Sequence, residues 1–285
     1  MAFQVITDSC CDLSVAVKQE LQLAVAPLGV NLNGSFFEDG QMPHKEFYDG
    51  MRAGHISTTS AVNPEGWAKV MEPVLKAGKD LLILAFSSGL STTYQSAVIA
   101  AGELQEQYPE RKILVVDTLC ASVGQGLLVW HACKQCAEGK SLEDVHAWVL
   151  DNAPHVAHWV TVDDLQYLKR GGRISAATAV VGTMLSIKPI IHVDDAGKLD
   201  SVAKARGRKA ALHQLAEKLG ETILPQGKDV VFLSHADCPE DAQSVAGQIQ
   251  AQYGVKEVII SDIGPVIGSH TGPGCIALCF LAAGR

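Results

Sequence analysis

The run Ser87-Ser88-Gly89-Leu90-Ser91-Thr92-Thr93 places five hydroxyls directly behind the apolar segment LLILAF. Asp8 and Ser9 stand in the same relation to FQVIT, and Asp117, Thr118 and then Ser122 to ILVV. A fourth cluster, Ser57-Thr58-Thr59-Ser60, precedes a helix predicted to start near Pro64, where proline suits a first turn. In open α/β sheets, ligands bind beyond the carboxyl ends of the strands, where helix N-termini offer free N–H groups. Any one of these loops reads as ordinary capping, because Ser, Thr and Asp are the favoured N-caps. Four of them beside one sheet edge predict a neutral, donor-rich pocket, suited to a carboxylate or phosphate and poorly suited to a cation.

Other groups carry competing chemistry. Ser91 behind a strand, Asp117 at the end of the next and His270 late in the chain reproduce the serine, acid, histidine order of α/β-hydrolases. Against that reading, Gly89-Leu90-Ser91 lacks the second glycine of a nucleophile elbow, since position 93 is Thr. There is no GxxxxGK[ST] phosphate loop, and Gly124 and Gly126 lack dinucleotide spacing, so no nucleotide cofactor is expected. Cys133 and Cys136 form one CxxC inside a helical pattern with no second pair at zinc spacing, so they read as core and no metal is expected. The basic stretches Lys169-Arg170-Gly171-Gly172-Arg173 and Lys204, Arg206, Arg208, Lys209 are solvated loops or acceptors of a phosphate or an acidic partner. His270 is expected in a loop before the final apolar strand.

The elements that must position these groups are legible as a pattern. FQVIT, LAVAPLGVNL, DLLILAF and KILVVDT are strand-like and mostly followed by helix-period stretches, which is the grammar of parallel βαβ units. LLILAF and ILVVD are apolar at nearly every position, as in a sheet covered on both faces. Ser141 is placed to cap the helix SLEDVHAWVLDNA, with Asp144 at the capping-box position. HVAHWVTV, KPIIHV, DVVFLSH, EVIISDI and GCIALCFL read as strands, with helices around 208–220 and 240–253. The expected fold is α/β in two domains. Residues 1–155 form a parallel-sheet, Rossmann-like α/β domain with the headgroup loops, and 156–285 an α+β domain with a mixed or antiparallel sheet that completes the site.

Composition narrows the function. A chain of 285 residues suits two domains better than one, and its net charge of −8 repels phosphate backbones and anionic headgroups, so nucleic acid is not an expected partner. No window of eighteen apolar residues occurs and MAFQVITDSC reads as a first strand, so no stable membrane insertion and no leader are expected. Eight cysteines, several in apolar runs, look like reduced core residues of a cytoplasmic protein.

Seven segments then carry a resemblance: TDS at Thr7–Ser9, Thr59-Ser60 with Pro64 beyond, SSGLSTTYQSA from Ser87, VDTLCASVGQG from Val116, LQYLKRGGRIS from Leu165, LSIKPII from Leu185, and the late IGSHTGPG. In this order, over nearly the whole chain, they resemble the DegV family, the fatty-acid-binding subunits of bacterial fatty acid kinase. The resemblance implies a two-domain protein without catalytic activity that holds one long-chain fatty acid in an apolar tunnel. It implies Thr59 and Ser91 as carboxylate donors, Arg173 and His270 as the polar network around them, and Ser60 and Ser9 as neighbours. It further implies a fatty acid kinase catalytic subunit as partner, faced by Arg170, Arg173 and Arg206, which phosphorylates the presented carboxylate. Thr92 stands where the family often has glycine, which is expected to narrow the pocket, and Val62 where it often has proline.

Overall fold

In the computed structural model, which describes residues 3–175 and 187–285, the first half builds a four-stranded, wholly parallel sheet. Its strands are β1 (Phe3–Asp8), β2 (Ala24–Ala26), β6 (Asp80–Ala85) and β7 (Ile113–Asp117), in the order β2-β1-β6-β7. The central strand β6 is buried along Leu81–Ala85, as a run apolar at every position requires when helices cover both faces. On one face lie α3 (Pro64–Lys76) and α4 (Thr93–Gln107). The other face carries α5 (Val123–Ala137), whose neighbour is α6 (Leu142–Asn152), capped by Ser141 Oγ on the Asp144 amide.

α5 is largely apolar and buried over most of its surface, because a second sheet covers its outer face. That sheet has six strands in the order β10-β9-β8-β13-β11-β12. These are β8 (Val156–Thr161), β9 (Ile187–Val193), β10 (Leu199–Arg206), β11 (Val230–His235), β12 (Glu257–Asp262) and β13 (Ile276–Leu281). Only β11 and β12 pair in parallel, so the sheet is mixed. Its far face is closed by α8 (Arg208–Thr222) and α9 (Pro239–Tyr253). Gly124 and Gly126 are packing glycines: a Cβ at Gly124 would strike the His158 imidazole, and one at Gly126 would strike the Cys11 carbonyl. Cys133 and Cys136 lie in α5 against the same core.

Three expectations need correction. LAVAPLGVNL is two strands, broken at Pro27-Leu28: β2 joins the parallel sheet and β3 (Gly29–Leu32) leaves it. β3 pairs with β4 (Ser35–Glu38) on one side and β5 (Ser57–Ser60) on the other, so the fourth hydroxyl cluster is a strand of a small antiparallel sheet and not a loop at the parallel sheet's edge. His270 closes the last turn of a short helix, α10 (Pro265–Thr271), with Pro265 at its first turn. The basic stretch holding Lys204 and Arg206 is the edge strand β10, and α2 (His44–Arg52) completes the shell around the small sheet. Of the segment LSIKPII, Leu185 and Ser186 lie outside the described residues.

Candidate functional site

A cavity of about 460 Å³ lies between the two large sheets, within the range of small-molecule pockets. Its floor is one face of the mixed sheet: period-2 alternation brings His158 and Val160 of β8, Ile191 and Val193 of β9, and Cys275 and Ala277 at β13 to the same side. Phe86, Leu90, Ile263 and Val266 complete an apolar wall. Polar groups concentrate at one end, where Thr59, Ser91, Arg173 and His270 all reach the cavity surface.

Local structure explains each of the four. Alternation along β5 turns Thr59 inward and leaves Thr58 and Ser60 exposed, so Ser60 does not line the cavity. Thr59 Oγ1 meets His270 Nε2 at 2.8 Å, while Ser57 Oγ meets Ser269 Oγ at 2.6 Å; β5 and α10 are stitched side chain to side chain. Burial holds the His270 imidazole neutral, its pKa pushed down to about 4, with the nearby Arg173 charge acting in the same direction. Its Nδ1 is buried and finds no hydrogen-bond partner among the described residues. The room for this ring comes from Gly171, whose Cβ position would collide with Nδ1; Gly272, at φ +74, yields in the same way to the Tyr167 ring. The segment Gly171-Gly172-Arg173 follows α7 (Gln166–Arg170).

Arg173 donates to the Leu90 carbonyl from Nε at 3.1 Å and from Nη2 at 3.0 Å. Both bonds fix the residue that precedes Ser91. Ser91 Oγ accepts from the Thr93 amide at 3.2 Å and lies 2.9 Å from Thr93 Oγ1, a serine turn just ahead of α4 that still leaves Ser91 bordering the cavity. Ser88 and Thr92 line the cavity beside it, Thr92 at the exposed rim, whereas Val62 is buried in the core.

Most of the remaining hydroxyls serve the backbone. Thr7 Oγ1 donates to Leu84 O, and Thr118 Oγ1 to Ala85 O. Ser9 Oγ accepts from the Leu28 amide at 3.1 Å and does not line the cavity. Asp8 accepts from the Phe86 and Cys10 amides, and burial still lifts its pKa to about 6. Asp117 Oδ1 accepts from the amides of Ser88 and Leu119. Ser91, Asp117 and His270 therefore form no relay: the imidazole is on Thr59, the serine on Thr93 and the aspartate on its own turn. Ser91 holds the turn that leads into α4, and the three residues do not form the hydrolase arrangement.

A second polar group borders the cavity; its Ser122 belongs to the third hydroxyl cluster of the sequence, while Asp12 and His158 beside it were not anticipated. Ser122 lines the cavity and donates to Asp12 Oδ2 at 2.6 Å, with Ser234 Oγ at 2.9 Å. Asp12 Oδ1 accepts from the Gly264 amide at 2.9 Å, and its burial raises the carboxyl pKa to about 7. His158, its pKa pushed down to about 3 by burial, accepts from the Ala121 amide at 3.3 Å and pairs through Nδ1 with Val156 O. The alternation of β8 was the available signal, since His158 breaks an apolar face. Among the basic residues, Arg170 is exposed with its guanidinium over the Tyr167 ring, and Arg206 is exposed on β10. Arg208 pairs with Asp241 and Asp163, and Lys188 with Asp163. Among the described residues no three His, Cys, Asp or Glu side chains are grouped to hold a metal ion, and no helix is long and apolar enough to cross a membrane.

The sequence model described as "Uncharacterised protein, DegV family" matches residues 2–283. This chain belongs to the DegV family. It is 42% identical to a DegV domain-containing protein of Clostridium perfringens over 282 residues, 98% of this chain and 97% of that protein. Among solved structures it resembles one described as fatty acid binding of a DegV family protein from Thermus thermophilus, with TM-score 0.87 and 31% identity over 99% of this chain and 100% of that one. It also resembles DegV, a fatty acid binding protein from Bacillus subtilis, with TM-score 0.85 and 27% identity over 99% of both chains. The parallel sheet followed by the mixed sheet is the arrangement shared with these DegV structures.

Proposed function

We propose that this protein is a carrier that binds one long-chain fatty acid, with the acyl chain in the apolar cavity and the carboxylate at its polar end. The observation that carries this reading is the cavity itself: a largely apolar lining with Thr59, Ser91, Arg173 and His270 gathered at one end. The fatty-acid-binding descriptions of the Thermus thermophilus and Bacillus subtilis relatives support the same ligand. Thr59 and Ser91 donate to the carboxylate, Arg173 and His270 complete its polar surroundings, and Ser9 and Ser60 flank the segments that carry them. The molecule supplies no catalytic group.

Energetics suit a carrier. Each buried methylene contributes about 0.8 kcal/mol, so an acyl chain of roughly fifteen offers on the order of 12 kcal/mol before association costs. Affinity then resides in the tail, and hydroxyls orient the head without locking it in a buried ion pair that is costly to form and to release. The recipient is a fatty acid kinase catalytic subunit, which phosphorylates the presented carboxylate to an acyl phosphate. Arg170, Arg173 and Arg206 face that partner, and the exposure of Arg170 and Arg206 supports this. The carrier works in the cytoplasm, as two units that meet near residue 155.

Native mass spectrometry of the protein purified from bacteria, with organic extraction of any bound lipid, tests the reading. One fatty acid per chain is the expected result. A protein that arrives empty and takes up no added fatty acid overturns it.

A further inference from the structure

Arg285 occupies an unusual position. Its guanidinium donates to four backbone carbonyls from three separate parts of the chain and pairs with no carboxylate among the described residues. Nη2 reaches Thr118 O at 3.1 Å and Ala153 O at 2.9 Å, while Nη1 reaches Leu119 O and, at 3.2 Å, Asp194 O. Thr118 and Leu119 belong to the loop after β7, Ala153 to the turn before β8, and Asp194 to the turn between β9 and β10.

Two of these segments border the cavity on the side away from the Thr59–His270 pair, behind the loop that runs from Ser87 to Ser91. The loop after β7 continues into Ala121 and Ser122, which line the cavity, and Val193 and Leu199, which flank the turn at 194–198, line it too. The two segments touch, because a Cβ on Gly197 would lie 3.1 Å from the Leu119 Cα. The turn is also tied to the loop after β6, where Ser87 Oγ donates to Gly197 O at 2.7 Å. Position along the sheet sets it apart from His270: Cys275 follows α10, and His158 stands opposite Cys279, four residues further along the strand, about 13 Å at 3.3 Å per residue.

The loop after β7 needs an external hold. Leu119 and Ser122 both have φ +50, a conformation that residues with a side chain seldom adopt and keep only where the surroundings over-determine it. Arg285 supplies two of the bonds that fix it, and His158 a third through the Ala121 amide.

We infer that Arg285 is a positioning residue for this side of the lipid cavity, holding the 118–122 loop against the 194–198 turn so that this side limits acyl chain length and slows lipid escape. The inference rests on the fatty acid reading. Without Arg285 the loop and turn part more readily, longer chains gain room, and bound lipid leaves faster.

The test compares wild type with R285A and R285K in two measurements. Hydrogen exchange without added lipid reads the hold directly: amides at 118–122 and 194–198 should exchange about tenfold faster in R285A, with amides of β6 unchanged. Titration and dissociation with saturated fatty acids of roughly 14 and 18 carbons read the consequence: R285A should move the preference towards the longer chain and release lipid about tenfold faster. R285K, which keeps the charge but not the planar fork, should fall between the two. Ethylguanidinium should restore R285A towards wild type, which a merely misfolded variant would not allow. Unchanged exchange, or an unchanged chain-length profile in a wild type that binds fatty acid, overturns the inference alone. A wild type that binds neither fatty acid overturns the carrier reading, and the exchange result then decides separately whether Arg285 holds the loop.

Discussion

Thr59 Oγ1 and His270 Nε2 lie 2.8 Å apart although 211 positions separate them in the chain, and this bond joins an inward-facing residue of β5 to the last turn of α10. With the imidazole held neutral, its proton on one nitrogen, the pair is a small polar unit at the mouth of an apolar cavity. Thr59→Ala removes one of the two proposed carboxylate donors and takes from His270 Nε2 its Thr59 partner, and Ser91→Ala removes the other proposed donor. Each is expected to weaken fatty acid binding by roughly 1 to 3 kcal/mol, the scale of a hydrogen bond to a buried charged group. Fluorescence titration with a long-chain fatty acid checks this, and unchanged affinity in both variants would remove them from the headgroup site.

Gly171 tests the same place from behind. Its missing Cβ is what lets the imidazole sit against the backbone after α7, so Gly171→Ala must push His270 away from Thr59. The variant is expected to lose about 1 to 3 kcal/mol of stability, the usual range for overpacking, together with lipid affinity. Gly172→Ala is a poor control, because Gly172 has φ +70. Gly102→Ala, in α4 with open space at its Cβ position, should hold stability and binding. Denaturant unfolding and lipid titration on the two variants separate the outcomes.

What could be read in the sequence followed the length scale of the signal. The parallel strands and the helices beginning at Pro64, Leu142, Arg208 and Pro239 were legible because caps and apolar periodicity are local. LAVAPLGVNL misled because nothing within it says that β3 pairs with Phe36-Phe37 and with Thr58-Thr59 in a third sheet. The hydroxyl clusters were visible, yet their division between backbone and cavity was not: Thr118 spends its hydroxyl on Ala85 O and Ser91 keeps a face to the cavity, which only tertiary pairing decides. Asp12, His158 and Arg285 were not singled out, since each bonds partners more than thirty residues away.

Asp12 predicts a specific pH dependence. Burial raises its pKa from 3.8 to about 7, so between those values the folded protein keeps a proton that the unfolded chain has lost. Its contribution to stability is fully present below about pH 3.8 and is lost as pH rises through about 7. Asp8, raised to about 6, acts in the same direction, while His270, lowered to about 4, acts oppositely: its contribution is present above pH 6.5 and is lost as pH falls through 4. Asp12→Asn isolates the first effect. Asparagine tolerates the φ of +48 at this position and can accept from the Gly264 amide while donating to Ser122. Relative to wild type, the variant is expected to gain on the order of a few kcal/mol of stability between pH 4 and pH 7. Urea unfolding at several pH values measures the difference, and a difference independent of pH would mean that Asp12 ionises normally.

Arg173 separates binding from delivery. Its guanidinium fixes Leu90 O through two donors and is half-buried beside the headgroup residues, with burial holding its pKa below the usual arginine range. The acyl tail supplies most of the binding energy, so Arg173→Ala is expected to reduce lipid affinity only modestly, by about 1 kcal/mol. In the proposed carrier, transfer depends instead on how the carboxylate is presented to the kinase, and misplacing a reacting group by about an ångström can cost a hundredfold in rate. Acyl phosphate formation with a fatty acid kinase should therefore fall much further than affinity, and Arg173→Lys should rescue little, because an ammonium cannot reproduce the fork that grips Leu90 O. Parallel measurement of lipid affinity and acyl phosphate yield on the same preparations decides the matter. Equal losses in both would place Arg173 at the headgroup alone.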